Sequence, residues 1–596
     1  RRRALAYLLR HVDRFSQEEL RGAVVANWNS DDRLIRAATT DLIARFNAKA
    51  QIDLLREAKA PFERTTIALA IASGYLGTAA RYVDAIIANE QAPSEARLAA
   101  ARVIQRTLDD GISSQHFNSI WEGYTARVDR TGLLWSKILA RSAPELRAAF
   151  PSGDADLDRE LSRTLAMIED RDPGVLLRTA ERLTDDSDPL DDIHYLTVVA
   201  CLTAPRPIEV TTRTAAALVN LDGKLDARSA RRDLHFPLRI AELHAELSKR
   251  DSRLNRDILA HPDFGRPAHV LLTRAPGFDR RRAADLILAR MAPGEDEDDE
   301  KLSLWTPEHV ELLGELPAEW SLPMLRRLWG RAGLDDAVLE LLARDPQMAD
   351  RQRLIEGLAS AQPATVAQAL QALAALSAPG DDELLAVVRA LSRLSDGKES
   401  DLLRGELLAA LRRISGLEVA PDDARGWQAW LRVARPELAA RLSGDGVDAA
   451  AWSQRLAAID WSSGDARRGH GVFVQASCAA CHSAGRALGP DLNGVAGRFS
   501  RDDLFTAIVE PSRDVSSRYR TVSLATAAGK TYQGMIVYDA VDGVILQTGA
   551  STTVRVPGDE IVVRRPSTAS LMPSGLLDKL SDAQIADLYA YLNSLR

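Results

Sequence analysis

Apolar residues recur at helical spacing over most of this chain, from residue 1 to about residue 445. Three consecutive stretches show the pattern, with apolar positions at Val366, Leu370 and Leu373, then Leu384, Val387, Val388 and Leu391, then Leu403, Leu407, Leu408, Leu411 and Ile414. The breaks between these stretches begin at residues 377 and 395. One helix pair therefore occupies roughly 36 residues, which is the period of an α-solenoid.

An earlier stretch, residues 31–47, has the same character. It begins with Asp31 and Asp32, and the pattern predicts a helix whose buried face carries Leu34, Ile35, Ala38, Leu42, Ile43 and Phe46. In period and pattern the array resembles HEAT-type repeats. Docking of a partner protein and a spacer role both remain open for it, because the pattern does not show which residues line a concave surface. The acidic run from Glu295 to Glu300 is expected to be a solvated loop.

Length, composition and charge limit the fold classes and the kinds of partner that this chain can have. A chain of 596 residues exceeds what one hydrophobic core supports, and an aromatic content of only 5% favours packed helices over a large sheet. The net charge of -8 speaks against nucleic-acid binding. No stretch approaches the roughly 20 apolar residues of a transmembrane helix.

The pentapeptide 478–482, with Cys478, Cys481 and His482, is the strongest chemical signal in the chain. C-x-x-C-H is the attachment sequence of a covalently bound c-type haem. Two thiols three positions apart lie about one helical turn from each other, so both can add to the vinyl groups on one haem edge. The adjacent histidine then supplies the proximal imidazole. With three cysteines and ten histidines in the chain, chance would produce the motif on the order of 10⁻⁴ times.

Structural zinc binding and dithiol redox chemistry are the two other interpretations of these cysteines. A structural zinc site needs further ligands, and the only other cysteine, Cys201, lies in a distant apolar run. A thioredoxin-like dithiol needs a βαβ unit, which this region does not show. Cys201 itself is predicted to be a small buried hydrophobe.

The residues around the motif predict a small helical domain. A helix is expected after Asp465, with Gly469 at a position where another helix could cross closely, and a final helix is expected after Ser581. These two helices are predicted to cross, as the terminal helices of class I cytochromes c do. Pro490 matches by placement the proline whose carbonyl accepts the ring N–H of the proximal histidine in cytochromes c; an ordinary turn is the alternative.

The distal ligand is expected to be a methionine. Met572 precedes the last helix, where cytochromes c place their distal methionine, whereas Met535 lies in an alternating run and reads as strand core. His470 is expected at the surface or the haem edge. His482 and Met572 are 90 positions apart, and β-like stretches occupy the surplus: 519–526, 531–538, 544–548, 552–556 and 560–564. A small antiparallel sheet or barrel is therefore predicted to be inserted at about 519–566.

From about Gly464 to Leu595 the sequence resembles the haem-binding domain family of planctomycetes and verrucomicrobia. The residues that carry the resemblance are Gly469, Phe473, Cys478, Cys481, His482, Gly489, Pro490, Asp491, Leu492, Glu510, Pro511, Ser512, Tyr519, Gly529, Gly534, Ser570, Leu571, Met572, Pro573, Gly575 and Leu576. In that family the domain commonly follows helical repeats and, further upstream, a β-propeller resembling quinone-dependent dehydrogenases. The resemblance implies that any dehydrogenase activity would belong to a portion upstream of residue 1.

The expected fold is mainly α, with a HEAT-like α-solenoid over residues 1–445, a linker over 446–461 and an all-α cytochrome c domain over 462–596 that carries the β insert. The expected function is electron transfer through one haem c, bound by Cys478 and Cys481 and ligated by His482 and Met572. The acceptor would be a redox partner protein or a quinone-linked acceptor. A haem peroxidase or a haem-based sensor with an open distal site is the alternative. Because haem is attached to this motif outside the cytoplasm, a periplasmic or otherwise exported location is expected.

Overall fold

The computed structural model describes residues 1–72, 74, 76–108, 119–230, 232, 236–292, 302, 304–331, 333–360, 362–394, 400–442, 449–476, 478–482, 489–527, 530–540, 543–549, 553–567, 570–572, 575–577 and 580–595. The acidic run at 295–300 lies outside these residues. The chain divides into two compact units, Arg1–Asp279 and Arg280–Arg596. The predicted boundaries at 445 and 461 do not coincide with this division and stay predictions.

The described residues of the first unit are helical. Helices α1 to α14 span Arg2–Arg10, Gln17–Val25, Arg33–Ile43, Ala48–Glu57, Pro61–Ile71, Leu76–Ile87, Ser94–Thr107, Leu133–Ala149, Ala155–Met167, Pro173–Ala180, Pro189–Cys201, Ile208–Ala227, Phe236–Arg250 and Leu254–Ala260. Several helices contact their next-but-one neighbour, as α5 contacts α7 and α6 contacts α8. Such contacts are typical of stacked helix pairs.

Helix α3 tests the predicted apolar face of residues 31–47. Asp32 caps the helix, since its carboxylate accepts a hydrogen bond from the backbone N–H of Leu34 at 2.9 Å. Ile35, Leu42, Ile43 and Phe46 are buried as predicted. The prediction was wrong for Leu34, which is 52% exposed, because the first turn of the helix points this side chain away from the packed face.

The second unit contains the remaining helices and the strands. Helices α15 to α24 span Arg280–Met291, Pro307–Leu313, Ala318–Leu328, Asp335–Arg344, Arg351–Gly357, Pro363–Ala375, Asp381–Arg393, Ser400–Ser415, Ala424–Ala434 and Pro436–Leu442, and α25 to α30 span Ala449–Ala458, Ala466–Gln475, Cys478–His482, Val495–Arg498, Arg501–Val509 and Asp582–Ser594. The apolar positions predicted in α20, α21 and α22 all belong to one buried core or pack directly against it. Helix α25 lies within the stretch that we predicted to be a linker. The adjacent Ile459 belongs to the buried core that α26 and α30 share, here called the core of the terminal helices.

A five-stranded antiparallel sheet lies between α29 and α30, at the place predicted for the insert. Strands β1 to β5 span Thr521–Thr526, Thr531–Ala540, Gly543–Gln547, Thr553–Pro557 and Ile561–Ser567, in the order β4-β3-β2-β1-β5. Its core consists of Leu524, Val544, Leu546 and Val556. The edge strands β4 and β5 are joined by residues 558–560 alone. Such a connection can span about 15 Å, whereas the edges of five flat strands lie roughly 19 Å apart. The sheet must therefore curl.

No helix among the described residues is long and apolar enough to cross a membrane.

Candidate haem-attachment site

The attachment motif forms a short helix, α27, which begins three residues after the last residue of α26. The helical turn brings the two cysteines to the same side of the segment. Cys478 packs against the core of the terminal helices, which includes Phe473, Leu588 and Leu592. Burial raises the pKa of the Cys478 thiol to about 11, so the thiol is protonated at neutral pH. Redox-active dithiols have the opposite property, a thiol whose pKa is lowered.

The imidazole of His482 is held by the backbone that follows the motif. Its Nδ1 lies 2.9 Å from the carbonyl oxygen of Pro490, and the N–H of Gly489 donates to the carbonyl oxygen of Cys481 at 3.0 Å. A carbonyl oxygen can only accept, so the ring proton sits on Nδ1 and the lone pair is left on Nε2. Burial lowers the pKa of His482, although the hydrogen bond to Pro490 opposes that shift. The ring is therefore neutral at pH 7 and able to bind a metal.

Gly489 shows how closely this backbone covers the ring. A Cβ atom at residue 489 would lie 2.6 Å from Cε1 and 2.7 Å from Nδ1 of His482. Any side chain there would displace the imidazole or the turn. A neutral histidine with Nδ1 occupied, beside two cysteines at C-x-x-C-H spacing, is the donor set that fits a covalently attached haem.

The helices that flank the site cross at a glycine, as the sequence predicted. A Cβ atom at Gly469 of α26 would lie 1.9 Å from the backbone oxygen of Asp587 in α30. Asp587 is itself buried, and its carboxylate accepts hydrogen bonds from Arg468 at 2.7 and 2.9 Å and from the backbone N–H of Asp465 at 2.8 Å. The hydrogen bond from Arg468 holds the pKa of Asp587 below its usual range. His470, which lies on α26, is exposed.

Met572 lies in an irregular segment between β5 and α30 and is partly buried. Its backbone N–H donates to the hydroxyl of Ser570 at 3.1 Å, and the N–H of Ser570 donates to the hydroxyl of Ser512 at 3.0 Å. The neighbouring Leu571 packs against Met535, and so does Cys481. The segment of Met572 and the attachment helix therefore both contact one buried side chain, that of Met535.

Met535 is the residue whose place the sequence did not reveal. We predicted strand core, and Met535 is indeed buried, with 6% of its surface exposed. However, it is not part of the core of the sheet; it contacts Cys481, Tyr519 and Leu571. Alternation along β2 assigns Met535 to the face opposite Ile536, and only the folded chain shows what covers that face.

Gln547 lies directly opposite Met535 in the pairing of β2 with β3. Its side chain is fully buried, and within the described part of the chain neither its amide nitrogen nor its amide oxygen has a hydrogen-bond partner.

Cys201 is buried at the end of α11 as predicted, and burial raises the pKa of its thiol to about 12.

No known family model and no curated protein sequence matches this chain. In the described residues, no group of three or more His, Cys, Asp or Glu side chains is placed to hold a metal ion. The interpretation of the site therefore depends on the attachment motif and the geometry around His482.

Proposed function

We propose that this protein transfers electrons through one covalently bound haem c, held by Cys478 and Cys481 and ligated by His482 and Met572. The observation that carries the proposal is the hydrogen bond from Nδ1 of His482 to the carbonyl of Pro490, beside a C-x-x-C-H helix. That bond leaves Nε2 as the electron-pair donor and fixes the orientation of the ring. A bound haem would supply a one-electron iron couple, whose potential a methionine and histidine pair raises.

The roles of the remaining residues follow from their positions. Pro490 holds the proton at Nδ1, which makes His482 a better donor, and Gly489 leaves the space that the ring occupies. The terminal-helix core around Phe473 and Leu588 supports the side of α27 that carries Cys478. Met572 would supply the second protein ligand to the iron.

The wider assignment is part of the same proposal. Residues 1–445 would form a HEAT-like α-solenoid and residues 462–596 a cytochrome c domain, in an exported protein. The haem would accept electrons from a dehydrogenase and deliver them to a redox partner protein or a quinone-linked acceptor. The contacts between next-but-one helices and the crossing of α26 with α30 support this reading.

Expression in a host that matures c-type cytochromes tests the attachment. The wild-type chain is expected to keep its haem through denaturing electrophoresis, and the double variant C478A/C481A is expected to lose it. The matched control is C201A, which removes the third cysteine and should keep the haem, because that thiol is buried far from the motif in sequence. A wild-type chain without covalent haem, in cells that load another c-type cytochrome, would refute the proposal.

Spectroscopy tests the ligand pair. The resting ferric protein should be six-coordinate and low-spin, with a methionine-to-iron band, and the substitution Met572→Ala should remove the band and lower the potential. A five-coordinate resting ferric state in the wild type would contradict the carrier role and favour a peroxidase or sensor.

A further inference from the structure

We propose that the helical repeats brace the haem site through two positioning residues, Gln362 and Met535. Met535 would hold the segment of Met572 against the attachment helix, and Gln362 would hold the strand that carries Met535. The proposal rests on the haem function proposed above and adds a role for residues outside the attachment motif.

Met535 connects the two parts that must stay together for methionine ligation. Its side chain contacts both Cys481 and Leu571, the neighbour of Met572. The Met572 segment is also tied to Ser512, whose hydroxyl accepts from the N–H of Ser570, while the hydroxyl of Ser570 accepts from the N–H of Met572. An unbranched thioether fills an irregular gap of this kind well. Removing the side chain would leave a void between the attachment helix and the Met572 segment.

Gln362 holds β2 two residues before Met535. It precedes helix α20 of the repeats, and its side-chain Nε2 donates to the carbonyl oxygens of Gln533 at 3.0 Å and Thr548 at 3.1 Å. Its Oε1 accepts from the backbone N–H of Gln533 at 3.4 Å. The amide of Gln362 thus bonds to both the N–H and the carbonyl of Gln533. A residue of a neighbouring antiparallel strand makes the same pair of bonds. The side chain thus takes the place of a peptide group where β2 and β3 cease to pair.

The two contacts form one physical chain within the second unit. Helix α20 is fixed to β2 by Gln362, β2 carries Met535, and Met535 contacts both Cys481 and Leu571. Mutation of residues that orient metal ligands in this way commonly costs about 10- to 100-fold in metal affinity or activity. Loosening either contact should therefore weaken the bond between Met572 and the iron and leave the haem attached.

The test uses the full chain with its covalent haem and imidazole as the competing distal ligand. Met535→Ala should raise imidazole affinity about tenfold or more and lower the reduction potential. Met535→Leu should restore both values to near wild type, because leucine refills the space without a sulfur atom. Gln362→Ala should shift both values in the same direction. The control Gln352→Ala, at an exposed glutamine of α19, should leave them unchanged.

Each outcome decides a different question. If Met535→Ala and Gln362→Ala both leave imidazole affinity and potential at wild-type values, the bracing proposal is wrong and the haem function stands. If Met535→Leu removes the methionine-to-iron band while Met572→Ala keeps it, the sulfur of Met535 is itself the ligand, which also overturns the bracing role. If the wild type carries no covalent haem, the proposed function fails, and this proposal fails with it.

Discussion

The close crossing of α26 and α30 gives the sharpest prediction about stability, because the chain offers a matched control on the same helix. Gly469 and Gly471 both lie inside α26. A Cβ atom at residue 469 would lie 1.9 Å from the backbone oxygen and 2.6 Å from the backbone carbon of Asp587, whereas a Cβ atom at residue 471 would meet nothing within 4 Å. The two changes from glycine to alanine are identical in chemistry and differ only in what they contact.

The two substitutions are expected to change the stability of the crossing in opposite directions. Real Cβ atoms essentially never approach other atoms closer than 3.0 Å, so Gly469→Ala must push the helices apart by more than about 1 Å. Overpacking against rigid backbone costs about 3 kcal/mol, and the separation also weakens the hydrogen bonds that reach Asp587 from Arg468 and Asp465. Gly471→Ala removes the conformational freedom of glycine without a clash, which stabilises a helix by about 0.5–1 kcal/mol.

Peptide-resolved hydrogen exchange over residues 582–594 measures the opening of α30 directly, without requiring that the whole chain unfold in one step. The two variants should differ by about 4 kcal/mol in opening free energy, which is several hundredfold in the exchange rate. Equal exchange in Gly469→Ala, Gly471→Ala and the wild type would refute the close crossing. Faster exchange in Gly471→Ala than in Gly469→Ala would refute it as well.

Three further outcomes are expected. Ile35→Ala should cost about 2–4 kcal/mol of unfolding free energy in the first unit, because Ile35 is buried, while Leu34→Ala should change it by less than about 0.5 kcal/mol; equal effects would contradict the packing of α3. The lowered folded-state pKa of Asp587 means that its ion pair stabilises α30 above the unfolded pKa of about 3.9 and is lost as the pH falls through the lower folded value. Asp587→Asn should therefore speed exchange of 582–594 at pH 7, and this effect should fade as the pH falls below the unfolded pKa and through the lower folded value, after correction for the intrinsic rate. Gln547→Met should raise the free energy of unfolding by up to about 1–3 kcal/mol, because it removes two buried amide atoms without partners among the described residues. The denaturant midpoint should rise accordingly. A lower midpoint would mean that the amide is satisfied.

Local pattern was enough to predict several individual elements of this chain. Period 3.6 marked the buried positions of α20, α21 and α22, and caps marked the starts of α26 at Asp465 and α30 at Ser581. Alternation and β-branched residues located five strands to within a few residues. These signals are readable because the backbone geometry of a helix or a strand repeats every few residues. The spacing of Cys478, Cys481 and His482 is likewise a local property, since one helical turn sets it.

Contacts between distant segments required the folded chain. The exposure of Leu34 depends on which face of α3 the neighbouring helices cover, and the face of β2 that carries Met535 also carries the polar residue Gln533, so its pattern does not mark Met535 as a buried contact. That Met535 meets Cys481 and Leu571, and that Gln362 bonds to a strand about 170 residues further on, depends on how whole elements pack. A local sequence window specifies which side of an element is apolar. Only tertiary packing decides which partner covers that side, because many partners of similar hydrophobicity are present in one chain.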